Sequence, residues 1–300
     1  MIKIAWHPVY AHPLPEGHRF PMLKYELIPG QLLHEGTIEQ EHIFSPEFVD
    51  EKYITMVHHP TYWAQLKHLS LPAKEQRRIG FPLNAKLVER ELRITQGTID
   101  GAHFAMENGI AFNVAGGTHH AGSNWGEGFC LLNDQAIAAN YLIHNQLARR
   151  ILIVDLDVHQ GNGTAEIFRQ NNNVFTFSMH GEKNFPFRKE VSDLDIGLDD
   201  GIDDERYLSI LTIHLKKVFA MAQPDFVFYL AGVDVLNTDK LGKLSLSKAG
   251  CKERDRLVLK ACIDRNLPVQ VSMGGGYSAD IRDIVDAHCN TYRLAFDLFG

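Results

Sequence analysis

Two carboxylates and an imidazole near the ends of apolar runs set the chemistry open to this chain. Asp157 and His159 stand two residues apart just beyond the run Ile151–Val154, so their side chains leave an extended backbone on the same side. Asp234 follows a second run, Phe226–Leu230, and brings another carboxylate. An Asp–His–Asp set suits one divalent metal and leaves positions open for water and substrate, which is the arrangement of a catalytic rather than a structural site. Two carboxylates cancel the charge of such an ion. Its water is then less acidic than in a three-histidine site, and a separate base is needed. His119 and His120 supply one, on a loop that begins Gly116-Gly117-Thr118. Tyr277, behind Gly274, Gly275 and Gly276, is placed to donate to a developing oxyanion. Singly, each of these residues has a blander reading: an Asp after a strand usually caps a helix, and a His-His pair usually decorates a surface. The functional reading rests on their coming together.

The elements that must position them follow from the apolar runs. Ile110–Val114, Ile151–Val154, Val174–Phe177, Phe226–Leu230 and Val269–Val271 are apolar on both faces and read as buried parallel strands. Amphipathic stretches at 84–107, 134–146, 203–222, 247–265 and 279–298 alternate with them and read as helices. That alternation predicts an α/β fold, a doubly wound parallel sheet with helices on both faces, in a single domain covering 1–300. The proline-rich first 80 residues are expected as helices and loops against one end of the sheet. In open parallel sheets ligands bind beyond the carboxyl ends of the strands. All five runs are followed there by the chain's chemistry: His119-His120, then Asp155, Asp157 and His159, then Ser178 and His180, then Asp234, then Tyr277.

Composition narrows the partners. A net charge of −7 without a basic run gives no general attraction to nucleic acid or to anionic membrane. No apolar stretch reaches the length of a membrane span, and the N-terminal residues, which read as a strand, are not those of a secretory leader. The four cysteines, Cys130, Cys251, Cys262 and Cys289, are scattered without a Cys-x-x-Cys pair, which suits a reducing cytoplasm.

Together, Gly116-Gly117-Thr118-His119-His120, Gly128-Phe129-Cys130 with Asn133-Asp134, Asp155-Leu156-Asp157-Val158-His159-Gln160-Gly161-Asn162-Gly163, Ala231-Gly232-Val233-Asp234 with Asp239-Lys240-Leu241-Gly242, and Gly274-Gly275-Gly276-Tyr277 resemble the core of the histone deacetylase superfamily. The resemblance runs in family order from Trp6 to the C-terminus. The Gln160–Gly163 variant is most similar to the class IV branch and its bacterial relatives. It implies the arginase/deacetylase fold and a zinc-dependent hydrolase that removes an acyl group, most simply acetyl, from an acylated amine such as acyl-lysine.

Roles follow from the resemblance residue by residue. Asp157, His159 and Asp234 match the ligands of one catalytic Zn²⁺, with Fe²⁺ as the alternative ion. His120 matches the general base and acid, His119 its electrostatic partner, and Tyr277 the residue that hydrogen-bonds the substrate carbonyl. Phe129 and Phe185 correspond to the walls of the acyl tunnel, with Gly128 and Gly275 beside them. Asp155 and Ser178, with carbonyls at Asp157, His159 and Met179, correspond to a structural K⁺ site; Asp155 also orients His119. Arg19 is aligned with an arginine of the internal product channel. The sequence departs at two points. Asn162 stands where many members carry an aspartate behind the second histidine, so His120 is expected to be less basic. No rim aspartate is matched; the region around Phe81 is apolar instead, which predicts weak dependence on the sequence around an acyl-lysine. A small acylated amine such as a polyamine, a binuclear ureohydrolase on the same fold and a non-catalytic acyl-binding protein are the alternatives.

Overall fold

The computed structural model describes residues 1–300. Eight strands build one sheet: β1 Lys3–Ala5, β2 Ile43–Phe44, β3 Ile110–Asn113, β4 Ile151–Asp155, β5 Val174–Gly181, β6 Leu194–Leu198, β7 Phe226–Leu230 and β8 Val269–Ser272. Their order is β2-β1-β3-β8-β7-β4-β5-β6, and every ladder is parallel. After β3 the chain crosses to β4, extends outward through β6, and returns to fill the centre with β7 and β8. The centre of the sheet therefore carries β3, β8, β7 and β4 side by side. These four strands deliver the histidine pair, the Tyr277 loop, Asp234 and the Asp157–His159 segment to one rim.

The local reasons are those of a buried parallel sheet. Every residue of β3, β4, β7 and β8 is buried, so these strands read as continuous apolar runs rather than alternating ones. Helices cover both faces. The helix 85–108 packs on β1, β3 and β8 and on the helix 134–144, while the helices 204–222, 248–263, 281–299 and 24–34 follow one another on the opposite side. The expected helix starts at positions 84, 203 and 247 are capping residues: Asn84, Asp203 and Ser247 each accept a backbone N–H three residues on. One cluster of 77 buried apolar side chains joins these layers.

Two strands lie outside the sequence expectation. β2 has two residues, too few for any periodicity, and β6 is an edge strand, Leu-Asp-Ile-Gly-Leu, that is only partly buried. The first 80 residues contribute β1 and β2 to one edge of the sheet as well as helices, so they are partly inside the sheet rather than only packed on its end.

Candidate active site

Beyond β4 the loop is shaped by its own carboxylates. Asp157 N–H donates to Asp155 Oδ1 (3.1 Å), His159 N–H to Asp157 Oδ1 (3.0 Å) and Val158 N–H to Asp234 Oδ1 (2.9 Å). These bonds turn Asp157 and His159 toward Asp234, which arrives from the adjacent β7. One ligand atom from each of Asp157, His159 and Asp234 lies within 4.8 Å of the others. His159 Nδ1 sits 3.0 Å from Asp157 Oδ1 and 3.1 Å from Asp234 Oδ2.

Several observations test whether this set suits a metal ion. All three side chains are buried, and their charges answer one another: burial alone would lower His159, but Asp157 and Asp234 push its pKa up to about 10. Burial and the Asp157 charge raise Asp234, whereas His119 and His159 outweigh burial and hold Asp157 well below the usual range. Two buried carboxylates thus press on one imidazole, and a divalent cation would answer the charge of both. The space beside them is kept open by glycine. A Cβ on Gly275 would come within 2.0 Å of Asp234 Oδ2 and 2.8 Å of Asp157 Oδ2. The Gly275 N–H instead donates to Asp157 Oδ2 (2.8 Å). The donor set, burial and clearance fit one divalent ion.

Two histidine arms reach toward this cluster, their rings 4.1 Å apart. His119 Nδ1 donates to Asp155 Oδ2 at 2.7 Å, and its Nε2 lies 3.8 Å from Asp157 Oδ1. Burial disfavours charge on His119, but Asp155 and Asp157 prevail and raise its pKa. His120 Nδ1 donates to Asn162 Oδ1, also at 2.7 Å. Here burial, with His119 and His159 adding to it, lowers the pKa well below the ordinary value. Asn162 Nδ2 in turn donates to Glu127 Oε1 (2.5 Å), and Arg78 Nε donates to Glu127 Oε2 (2.5 Å).

Gly128, Phe129, Phe185 and Tyr277 line one cavity with His120. Phe185 stands 5.0 Å from the His120 ring and Phe129 stands 6.0 Å from Tyr277, centroid to centroid. Gly128 has φ +55°, and a Cβ there would strike His120 Cδ2 at 2.7 Å, so the close approach requires glycine. Tyr277 lines both the inner cavity and the outer mouth, and its ring is 6.4 Å from that of His159. Burial, with the Asp234 and Asp157 charges, holds its hydroxyl well above the usual pKa, so it keeps its proton. Asp155 and Ser178 are register partners on β4 and β5. The Ser178 hydroxyl is engaged with His180 Nδ1 (2.9 Å), and Met179 is buried beside it.

Two residues sit elsewhere than the sequence suggested. Arg19 is exposed at the mouth, its guanidinium 5.0 Å from the Phe129 ring, and the arginine lining the inner cavity is Arg90. Phe81 is buried behind Phe129, their rings 5.2 Å apart, rather than forming the rim.

Other contributors were given no role from the sequence. Arg254, fully buried, donates to the carbonyls of Leu156 (3.1 Å) and Gly232 (2.5 Å) and pairs with Asp255. The Asp239 carboxylate accepts from the N–H groups of Leu241, Gly242 and Tyr277, fastening the Tyr277 loop. The Asp239–Gly242 motif and the adjacency of Glu127 to Gly128 were visible signals for two of these. A lone Arg78 or Arg254 carries no signal in a single sequence.

With this geometry, the comparisons agree. Residues 18–292 match the histone deacetylase domain. An uncharacterized protein of Picosynechococcus is 48% identical over 99% of both chains. Histone deacetylase 2 of Arabidopsis thaliana is 29% identical over 92% of this chain and 74% of its own length. Histone deacetylase 1 of Homo sapiens is 29% identical over 94% of this chain, which spans 61% of the human protein. Among solved structures, a histone deacetylase homologue in complex with SAHA superposes with a TM-score of 0.83 at 23% identity, covering 99% of this chain and 83% of the other. The HDA15 HD domain superposes with a TM-score of 0.80 at 21% identity, covering 96% and 89%. At those identities the structural likeness establishes the arginase/deacetylase fold. With the domain match extending over most of its length, the chain belongs to the histone deacetylase family.

Proposed function

We propose that the protein is a zinc-dependent deacylase that hydrolyses the amide of an N-acylated amine, acetyl-lysine being the simplest. The observation that carries this reading is the meeting, at the floor of one aromatic-walled tunnel, of the Asp157–His159–Asp234 cluster, the histidine pair and Tyr277. A Zn²⁺ or Fe²⁺ ion held by the cluster would supply Lewis acidity, polarising the amide carbonyl and acidifying water.

The residues of the chain supply the rest. His120 has its Nδ1–H committed to Asn162, so Nε2 is the nitrogen left to act, and its lowered pKa keeps it neutral. It takes the proton of the attacking water and returns it to the leaving amine. His119 holds its proton against Asp155 and adds positive potential beside the reacting centre. The Tyr277 hydroxyl donates to the carbonyl oxygen as charge develops there. Phe129 and Phe185 flank the acyl arm and exclude water. An inner K⁺ on Asp155, Ser178 and the carbonyls of Asp157, His159 and Met179 remains part of the proposal, supported by the register of β4 and β5. The single cluster supports one ion rather than the pair a ureohydrolase needs, and the intact histidine pair and Tyr277 favour catalysis over acyl binding alone.

Replacing Asp234 by Ala leaves two ligands. The purified Asp234→Ala protein should lose its metal on dialysis against a mild chelator, together with its activity. Full metal content by elemental analysis would refute the ligand assignment.

A further inference from the structure

We infer that the mouth of the tunnel is built for an anionic carrier, so that the substrate class is an acylated amine with carboxylate charge close to the acylated arm. This inference rests on the deacylase reading and adds to it.

A cavity of 330 Å³ leads from His120 and Tyr277 to the surface. The charged side chains along it are Arg19, Arg78, Lys183 and Lys243, and no Asp or Glu is among its lining residues. Acidic residues outnumber basic ones by 37 to 30 in the chain, so four cations without a carboxylate is not the mixture an ordinary surface would give.

Two of these four cations have no carboxylate partner, and a third is only loosely paired. Arg19 packs its guanidinium on Phe129 and has no carboxylate partner. Lys243 donates only to the backbone carbonyl of Lys183. Lys183 has Asp200 at 3.9 Å, with both side chains exposed, a pairing that solvent weakens. Arg78 uses Nε on Glu127, whose side chain is 7% exposed; its guanidinium lies 5.6 Å from the Trp125 ring centroid and its own side chain is 48% exposed. The low-dielectric walls of a cleft focus such a field on whatever remains outside when the neutral acyl arm enters. A carboxylate at that point is attracted. The ammonium groups of an acylated polyamine are repelled, which separates this class from the polyamine alternative. The four cations come from four distant segments, so a search for charged runs cannot see them.

The carboxylate could belong to a small acylated amino acid or to an acidic acyl-lysine peptide. Steady-state kinetics on the metal-loaded protein should compare acetyl-lysine pentapeptides flanked by Glu, Gln or Lys. Nε-acetyl-lysine with a free carboxylate, its α-amide, and an acetylated polyamine complete the set. Two exposed ion pairs predict about a fivefold higher kcat/KM for Glu over Gln flanks, expressed in KM, and a lower value for Lys flanks. The preference should fade between about 0.01 M and about 1 M salt, as the screening length falls from about 30 Å to about 3 Å. In a Lys183→Gln/Lys243→Gln variant the Glu-to-Gln ratio should drop toward one. A response of free acetyl-lysine to its α-carboxylate identifies the small acid as sufficient; a response confined to peptides identifies the acidic peptide.

Calorimetric binding of the same peptides to the Tyr277→Phe protein provides a readout independent of turnover. Turnover with no dependence on carrier charge overturns the mouth inference and leaves the deacylase reading standing. No turnover, but about fivefold tighter binding of the Glu peptide, upholds the mouth and overturns the deacylase reading. Neither turnover nor charge-dependent binding overturns both.

Discussion

His119 and His120 are neighbours in sequence with rings 4.1 Å apart, each tethered through Nδ1 by a 2.7 Å hydrogen bond, and yet they are opposite in charge preference. The His119 arm ends directly on the Asp155 carboxylate, which with Asp157 overcomes burial and raises its pKa; on the His120 arm burial, with His119 and His159, lowers the pKa, and the bond to the Asn162 amide does not offset them. The carboxylate missing from the second arm stands one step further back, where Glu127 accepts from the Asn162 amide and is itself paired with Arg78. Orientation and charge are therefore separated. Because a carboxylate can only accept, Glu127 obliges Asn162 to present Nδ2 to it and Oδ1 to His120. That fixes the His120 proton on Nδ1 and leaves Nε2 free, while the negative charge stays too far away to keep the imidazole protonated. In the proposed mechanism one arm holds a proton and the other moves one.

The largest effect should come from deleting the moving arm. His120→Ala should lower kcat by about 10²–10⁴, the usual contribution of general acid–base catalysis, with metal content unchanged by elemental analysis. A small loss would show that the arms are interchangeable. Tyr277→Phe keeps the ring and removes the donor, and kcat should fall by about 10²–10³ with KM nearly constant. Near-normal kcat would mean that the hydroxyl is idle.

Asn162→Asp makes the arms alike. A negative charge beside His120 favours its protonated form and raises its pKa, so less neutral base is present at a given pH. The acidic limb of the kcat/KM profile should move to higher pH by about one to two units. An unmoved limb would show that charge on this arm does not matter. The smallest effect belongs to Glu127→Gln, whose side-chain amide can accept or donate and so no longer dictates the orientation of Asn162. A loss of one ordered hydrogen bond corresponds to about threefold to tenfold in kcat. Partial rescue by Glu127→Asp would distinguish loss of the acceptor from loss of packing.

Much of this was legible in the sequence, for identifiable reasons. The central strands are buried on both faces and so wrote themselves as apolar runs, and the residues after each run pointed to the rim. The placing of Asp157 and His159 on the same side was readable because two-residue spacing on an extended chain has one geometric meaning. The edge strands β2 and β6 were not readable, being short or half-exposed. The supports were not readable either. Arg78 reaches Glu127 across 49 positions and Arg254 reaches Leu156 across 98, contacts that only the fold creates. Asn162 was recognised as a departure, but what stands behind it depends on a loop 35 residues away.

Arg254 has a further consequence, for motion. Its guanidinium donates at once to the backbone after β4 and to that after β7, and its partner Asp255 is held by Tyr229 on β7 and Thr291 on the helix 281–299. Two loops from different strands and two helices are thereby joined at a single charge that cannot leave the interior without losing all its partners. The backbone at the floor of the site is consequently expected among the slowest-exchanging amides of the molecule in a hydrogen-exchange measurement. Motion needed for substrate entry and product exit is left to the mouth, to the segment around Phe187, which is 89% exposed.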